Sequence, residues 1–144
     1  RPADGGADAN AGDPLTWTPV DAQSVHTLEA LWGASADDVW AVGGHGTIRR
    51  ITEGDERWRK IESPTTQTLR AVWGSGPNDV WIVGDGSTTL HYDGTTLEES
   101  SAQLPLGPRR SFRGVWGSGP NDVWIVGDNA ALHYTGPKNA KGGK

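Results

Sequence analysis

The sequence predicts an all-β protein built from three copies of one four-stranded unit. One fourteen-residue phrase occurs unchanged at residues 72–85 and 115–128, and a more divergent copy covers residues 31–44. The tryptophans near the start of the copies are 41 and 43 residues apart: Trp32, Trp73 and Trp116. This period is typical of β-propeller blades. A unit of this size cannot bury its own apolar face, so each copy must pack against a neighbour.

Within one unit, apolar runs separated by turn-forming residues predict four strands, labelled A to D in chain order. In the second unit they cover residues 68–73, 80–83, 88–92 and 95–100, with a turn at residues 75–79. Strand B is apolar throughout, as in a strand covered on both faces, whereas strand D carries Glu98 and Glu99 like a solvated edge. Strand A has a small residue at one site in every copy, which suits strands crowded around a propeller axis: Ala30, Ala71 and Gly114.

The order of the predicted strands leaves an incomplete unit at each end of the array. Residues 15–20 match strand D of the first unit, residues 57–61, by a Trp followed by an apolar residue. The third copy reaches strand C at residues 131–134 and then enters the tail without a strand D. The predicted order of strands over residues 15–135, grouped by unit, is therefore D, ABCD, ABCD and ABC. Residues 1–14 read as a flexible acidic tether and residues 136–144 as a flexible basic tail.

Three blades are too few for a closed propeller, which typically has roughly four to eight. The chain is then either a fragment of a longer propeller or one half of a ring made by two copies. We favour a homodimer with six blades and two-fold symmetry. In this arrangement, residues 15–20 of one copy complete the last blade of the other.

The repeats resemble known propeller families. Residues 39–44 form an apolar strand that ends in a glycine pair, and Trp58 lies on the outer strand, as in the kelch pattern. The second unit keeps the Tyr92-Asp93 pair of that pattern. The phrase from Trp73 to Trp81 is similar to repeats of bacterial, myxobacterial-type propellers of the kelch-like or galactose-oxidase-like kind. The resemblance implies a propeller fold and leaves the activity open, because propellers have many functions.

Composition restricts the kinds of partner. The net charge of −5 argues against a broad basic face for nucleic acid. The sequence has no cysteine and no apolar run long enough to span a membrane. Residues 1–14 resemble in composition the linker that follows the lipidated cysteine of bacterial surface lipoproteins. We therefore expect an extracytoplasmic protein, either secreted, periplasmic or held at the cell surface by a lipid anchor upstream of Arg1.

The sequence predicts no catalytic residue, no metal site and no cofactor. His91 and His133 share one blade position, where the first unit has Arg49, so this position cannot supply a metal ligand in every blade. One aspartate precedes strand B in each unit and is expected to cap turn amides rather than to bind calcium: Asp38, Asp79 and Asp122. The near-identity of the units also argues against an enzyme, because propeller hydrolases need blades that bring different polar groups to the axis.

The tryptophans are the main candidates for both structural and functional roles. Those of strand B are predicted to be core between blades: Trp40, Trp81 and Trp124. Those at the end of strand A, with two turn asparagines, are candidate ligand-binding residues: Trp32, Trp73, Trp116, Asn78 and Asn121. The favoured function is a non-enzymatic module that binds another protein or joins an assembly. The alternative is a multivalent lectin with one shallow site per blade, where a Trp stacks on a sugar.

Overall fold

The structure, a computed structural model, describes residues 15–101, 104–105 and 109–137. Eleven β-strands lie in this part of the chain: β1 (Leu28–Ser35), β2 (Asp38–Gly43), β3 (Ile48–Thr52), β4 (Arg59–Lys60), β5 (Leu69–Gly76), β6 (Asp79–Gly84), β7 (Thr89–Tyr92), β8 (Leu97–Glu99), β9 (Phe112–Gly119), β10 (Asp122–Gly127) and β11 (Ala130–Tyr134). Two single-turn 3-10 helices, Gly44–Gly46 and Asp85–Ser87, connect β2 to β3 and β6 to β7.

The strands form three antiparallel sheets, which we call blades 1, 2 and 3. Blade 1 has the order β1-β2-β3-β4, blade 2 the order β5-β6-β7-β8, and blade 3 the order β9-β10-β11. Within each blade, strands that follow one another in the chain are therefore neighbours in the sheet. Strand β1 contacts β5, and β5 contacts β9, so the three A strands lie side by side. These sheets confirm the predicted all-β class and the four-stranded unit.

Strand A is longer than the sequence predicted. The turn was expected at residues 75–79, but β5 continues through Gly76, and only Pro77 and Asn78 separate it from β6. The register shifts between Gly74 and Gly76, so the ladder contains a bulge rather than a turn at this point. The outer strands are shorter than expected, with two residues in β4 and three in β8.

Residues 15–20 form no strand in the single chain. Their side chains are exposed, and Trp17 is 88% exposed. The predicted pairing of this segment requires a second copy, so it stays a prediction. The predicted tether, residues 1–14, and most of the predicted tail, residues 138–144, lie outside the described residues.

The hydrophobic core lies between the blades rather than within them. One cluster joins Trp40, Val42 and Ile48 of blade 1 to apolar side chains of blade 2: Leu69, Val72, Val80, Ile82 and Leu90. A second cluster joins Val83 of blade 2 to Phe112 and Ile125 of blade 3. Blade 2 thus contributes opposite faces to two clusters, as expected for a unit that is stable only with neighbours.

Strand B ends at a glycine in each blade because the backbone of strand A approaches it closely. After Gly84, the amide of Asp85 donates a hydrogen bond of 2.9 Å to the carbonyl oxygen of Thr68, the residue before β5. A Cβ atom on Gly84 would overlap this carbonyl oxygen. The same arrangement recurs at the ends of β2 and β10: Gly43 with Thr27, and Gly127 with Ser111.

Candidate interaction surfaces

The first contact that recurs at both junctions between blades places a Trp of strand A on a glycine of the next strand A. A Cβ atom built on Gly74 would lie 2.7 Å from Cη2 of Trp32. One built on Gly117 would lie 2.6 Å from Cη2 of Trp73. Real Cβ atoms do not approach other atoms so closely, so the indole rings occupy space that only glycine leaves free.

The second recurring contact pairs a Trp of strand B with a Tyr of strand C in the next blade. The ring centroids of Trp40 and Tyr92 are 5.1 Å apart, as are those of Trp81 and Tyr134. The rings are tilted by 55° and 53°, a geometry that is favourable for aromatic pairs. Burial in this contact raises the pKa of the Tyr134 phenol. Each junction is thus held by two aromatic contacts between equivalent positions.

The face of blade 3 that points away from blade 2 makes neither contact. We call this surface the trailing face and define it by Trp116, Trp124 and Val126, which are 58%, 41% and 49% exposed. At the same positions in blades 1 and 2, the next blade buries or half-buries the side chains: Trp32, Trp40, Val42, Trp73, Trp81 and Val83. No blade within the described residues covers Trp124, so the prediction that it is core between blades stays a prediction.

The opposite end of the array, on blade 1, is also uncovered. We call it the leading face and define it by Leu28, Leu31 and Gly33. Leu28 and Leu31 are 36% and 69% exposed, whereas Leu69 and Val72, their counterparts in blade 2, are buried against blade 1. The leading face is therefore the apolar surface on which a preceding blade would pack.

Gly33 is the leading-face counterpart of Gly74. The three atoms nearest to a Cβ built on Gly33 all belong to blade 1, whereas two of the three at Gly74 belong to Trp32. The trailing face therefore has an indole without a glycine, and the leading face has a glycine without an indole. Each end of the array therefore carries one half of the Trp–Gly contact seen at the internal junctions.

Arg49 of blade 1 is a charged residue at a position where the other two blades have an apolar one. It occupies the position of Leu90 and Leu132 in the other blades, opposite the fourth residue of strand B. The Arg49 side chain is nevertheless buried, because its guanidinium donates hydrogen bonds to the carbonyl oxygens of Gln23 at 2.7 Å and Ile48 at 2.9 Å. These acceptors offset the cost of burying the charge.

A polar pair joins strands B and C in each blade. The Asp79 carboxylate lies 2.6 Å from Nε2 of His91, and the Asp122 carboxylate lies 2.6 Å from Nε2 of His133. The register aligns these histidines with Arg50, not with Arg49 as the sequence suggested. The B–C turn has the same length in units 1 and 2 and is one residue shorter in unit 3. The spacing of the tryptophans therefore aligns His133 with Arg49, although its position in the ladder is that of Arg50.

In blade 1 the pair is ionic. Arg50 donates two hydrogen bonds of 2.9 Å to the Asp38 carboxylate, and its guanidinium lies 4.8 Å from the Trp40 ring centroid. The His133 ring stacks on Trp124 in the same way, at 3.9 Å. The expectation that the aspartates cap turn amides is wrong, since their carboxylates bind the strand-C side chain. In each blade the strand-C side chain of the pair thus lies over the ring of the strand-B Trp.

The turn asparagines contact glycines of the following turn. A Cβ on Gly94 would lie 2.8 Å from Cβ of Asn78, and one on Gly136 would lie 3.2 Å from Cβ of Asn121. Gly94 and Gly136 have φ angles of +98° and +102°, which glycine adopts without strain. Asn78 and Asn121 therefore brace two turns against each other, and both remain exposed. Their predicted role in ligand binding stays a prediction.

The sequence pattern alone does not identify Leu28, Leu31, Gly33 and Val126 as surface residues. A signal for them was present, because each unit carries both a Trp for the next blade and, directly after it, a Gly for the preceding one. Periodicity identifies such positions as core in every unit. It does not show which units stand at the ends of the array.

The ion pair of Arg70 and Asp85 leads to a prediction about acid stability. Two hydrogen bonds from the Arg70 guanidinium, at 2.6 and 3.0 Å, hold the pKa of Asp85 below its ordinary value of 3.8. As the pH falls, Asp85 is therefore protonated at a higher pH in the unfolded chain than in the folded one. The ion pair contributes fully to the free energy of unfolding above the ordinary pKa, and this contribution is lost as the pH falls through the pKa of the folded state. We expect Asp85→Asn to lower the free energy of unfolding at pH 7 and to make its decline below pH 4 shallower.

Denaturant unfolding at a series of pH values measures this effect. Arg70→Gln is the control, because it should flatten the same part of the curve by returning the Asp85 pKa towards its ordinary value. Equal slopes in the two variants and the parent chain would show that the pair contributes nothing to acid stability.

Neither a metal site nor a membrane span emerges from the part of the chain that the structure describes. No three His, Asp or Glu side chains come close enough together there to hold a metal ion. No helix in that part of the chain is long and apolar enough to cross a bilayer.

The fold is similar to that of a solved structure described as YCF48 bound to D1 peptide. The TM-score is 0.66 at 20% sequence identity, and the match covers 84% of this chain and 42% of that chain. This chain therefore spans less than half the length of the chain it matches. At this level of identity the likeness supports a β-propeller arrangement of blades and does not show a shared role. No protein-family model and no curated protein matches the sequence.

Proposed function

We propose that this chain is a non-enzymatic, extracytoplasmic protein-interaction module whose first partner is a second copy of itself. Two copies, packed leading face to trailing face at both ends, make a closed ring of six blades with two-fold symmetry. The structural neighbour solved with a bound peptide supports a protein-binding role for blades of this shape. The extracytoplasmic location rests on the composition of residues 1–14 alone.

One observation carries the proposal. The trailing face exposes side chains that the next blade covers at both internal junctions, and the leading face exposes their acceptor positions. In the ring, Trp116 of one copy packs on Gly33 of the other, as Trp32 packs on Gly74. Trp124 then contacts Ile51, which occupies the position of Tyr92 and Tyr134 in the other blades. The ring thus repeats the Trp–Gly contact of the internal junctions and has Trp on Ile in place of the Trp–Tyr pair.

Ring closure also favours pairing thermodynamically. The two junctions between copies are equivalent by symmetry, so formation of the first makes the second intramolecular. Burial of the exposed Trp116, Trp124, Val126, Leu28 and Leu31 side chains then occurs twice in one assembly. A dimer is therefore expected to be more stable than a single face contact would make it.

The lectin alternative draws less support from the geometry. Trp32 and Trp73 are half-buried with their six-membered rings on glycine, so they offer little free face to a sugar. Trp116 is the exposed member of the set, and it lies where the proposed junction forms. The described surface therefore does not present an exposed Trp site for a sugar in every blade.

The mass in solution tests the proposal. We expect the chain to sediment at about twice 15.3 kDa at micromolar concentration, and Trp116→Arg to sediment at the single-chain mass while keeping its β circular dichroism. Val25→Arg, at a side chain that is 95% exposed, is the matched control and should stay dimeric. A parent chain that is monomeric at these concentrations would contradict the ring.

A further inference from the structure

Blade 3 has a cavity beside its outer strand. This cavity has a volume of about 270 Å³ and lies between blades 2 and 3, lined mainly by Trp81, Leu104, Val123, Leu132 and Tyr134. At the junction between blades 1 and 2, the equivalent space is occupied from the outer strand of blade 2, where Leu97 of β8 packs against the core cluster that contains Trp40, Val80 and Leu90. Blade 3 has no such strand among the described residues, so its cavity lacks that side chain.

The segment at residues 15–20 has the spacing of an outer strand that precedes blade 1. Trp17 stands eleven residues before Leu28, the first residue of β1, and Trp58 stands eleven residues before Leu69, the first residue of β5. Val20 matches Ile61 in the same alignment. The connection from this segment to blade 1 is therefore as long as the connection from strand D of blade 1 to blade 2.

The ladders of blades 1 and 2 give the register in which such a strand would pair. Arg50 is opposite Arg59 in blade 1, and His91 is opposite Glu98 in blade 2. The equivalent pair in blade 3 is His133 with Thr18, which places Trp17 opposite Tyr134. Trp17 then takes the position of Leu97, the residue whose counterpart is missing from the cavity.

Pro19 is compatible with this register. In blade 1 the amide of Ile61 donates to the carbonyl oxygen of Ile48 at 3.0 Å, so the amide of Lys60, one residue earlier, points away from β3. Pro19 occupies the position of Lys60 and loses no ladder hydrogen bond, as is typical of proline in an edge strand. The amide of Val20 remains available to the carbonyl oxygen of Ala131.

We propose that residues 15–20 of a second copy form the fourth strand of blade 3, with Trp17 in the cavity. This inference rests on the proposed ring of two copies, in which the segment that precedes blade 1 of one copy lies next to blade 3 of the other. The cavity exceeds the roughly 150 Å³ that holds a benzene molecule in a protein core, so it has room for an indole ring. In the single chain, the backbone amide of Trp58 donates a hydrogen bond of 3.1 Å to the carbonyl oxygen of Asp21, so the segment extends from blade 1 with Trp17 exposed.

Disulfide cross-linking tests the exchange, because the chain has no cysteine of its own. In the proposed register, Thr18 and His133 form a hydrogen-bonded pair with Cα atoms about 5.5 Å apart, which suits a disulfide. We expect oxidised Thr18→Cys/His133→Cys to run as a covalent dimer on a denaturing gel. Thr16→Cys/His133→Cys, displaced by two residues along the strand, is the matched control and should cross-link far less.

Two other outcomes overturn the exchange. A disulfide within one chain would show that the strand is supplied in cis, and no disulfide in a chain that sediments as a dimer would show that the strand lies elsewhere. In the second case the proposed ring stands without the exchange, whereas a monomeric parent chain removes both. As an independent measurement, Trp17→Ala should raise the dimer dissociation constant by about 100-fold, while Val25→Ala should leave it unchanged.

Discussion

Gly84→Ala is expected to destabilise the chain by about 3 kcal/mol or more. A Cβ atom there would overlap the carbonyl oxygen of Thr68 and lie 2.8 Å from Cα of Leu69. Both are backbone atoms at the start of β5, so no side-chain rotation can relieve the clash. The Gly84 backbone is extended, with φ −172°, so the effect comes from crowding and not from an unusual backbone conformation. Denaturant unfolding followed by tryptophan fluorescence measures the loss.

Gly76→Ala is the matched control in the same blade. Gly76 ends β5, and no heavy atom lies within 4 Å of a Cβ built on it. Its replacement should change the free energy of unfolding by less than about 1 kcal/mol. Similar losses in the two variants would mean that strand A does not approach strand B as closely as the structure shows.

Trp40→Ala should cost about 3 to 5 kcal/mol, because it leaves a cavity at a fully buried ring. Trp40 packs on Tyr92 of blade 2 and under the Arg50 guanidinium, so its removal also weakens the junction between blades 1 and 2. The loss is large compared with the stability of a small domain. Thermal and denaturant unfolding both measure it.

Trp124→Ala gives the contrasting result. The ring occupies the same blade position but is 41% exposed, so its removal from a dissociated chain should cost about 1 kcal/mol. In the dimer the same change should weaken association, which makes the measured stability depend on protein concentration. If Trp124→Ala were as costly as Trp40→Ala in a chain shown to be monomeric, blade 3 would have to be covered by some part of its own chain.

The sequence predicted the blades because their determinants are local. The identity of strand B follows from an apolar run that ends at a glycine, and the order of the strands follows from turn residues between short segments. The bounds of strand A were less accurate, because Gly74 and Gly76 fit a bulge as well as a turn. The pairing of His91 with Asp79 was missed, because it depends on the register between two strands, which brings together residues twelve apart in the chain.

The candidate surfaces were harder to predict for a different reason. Trp116 and Trp124 are identical in sequence context to Trp73 and Trp81, yet the first two are exposed and Trp81 is buried. Exposure here depends on which blade follows, a property of the array that no local pattern encodes. The sequence pattern makes the strand-A Trp a candidate ligand contact, which stays a prediction, and at two positions the ring also packs on a glycine of the next blade.

The Trp-Gly pair at the end of strand A has a consequence for how such a chain can change its length. The Trp of the pair packs on the following blade, and the Gly receives the Trp of the preceding blade. A gene duplication that copies a whole unit therefore copies both halves of a matching junction, and the new blade fits its neighbours on both sides without further substitution. Loss of a unit likewise leaves two ends that still match. An array with such a pair in every unit can therefore lengthen or shorten by whole blades.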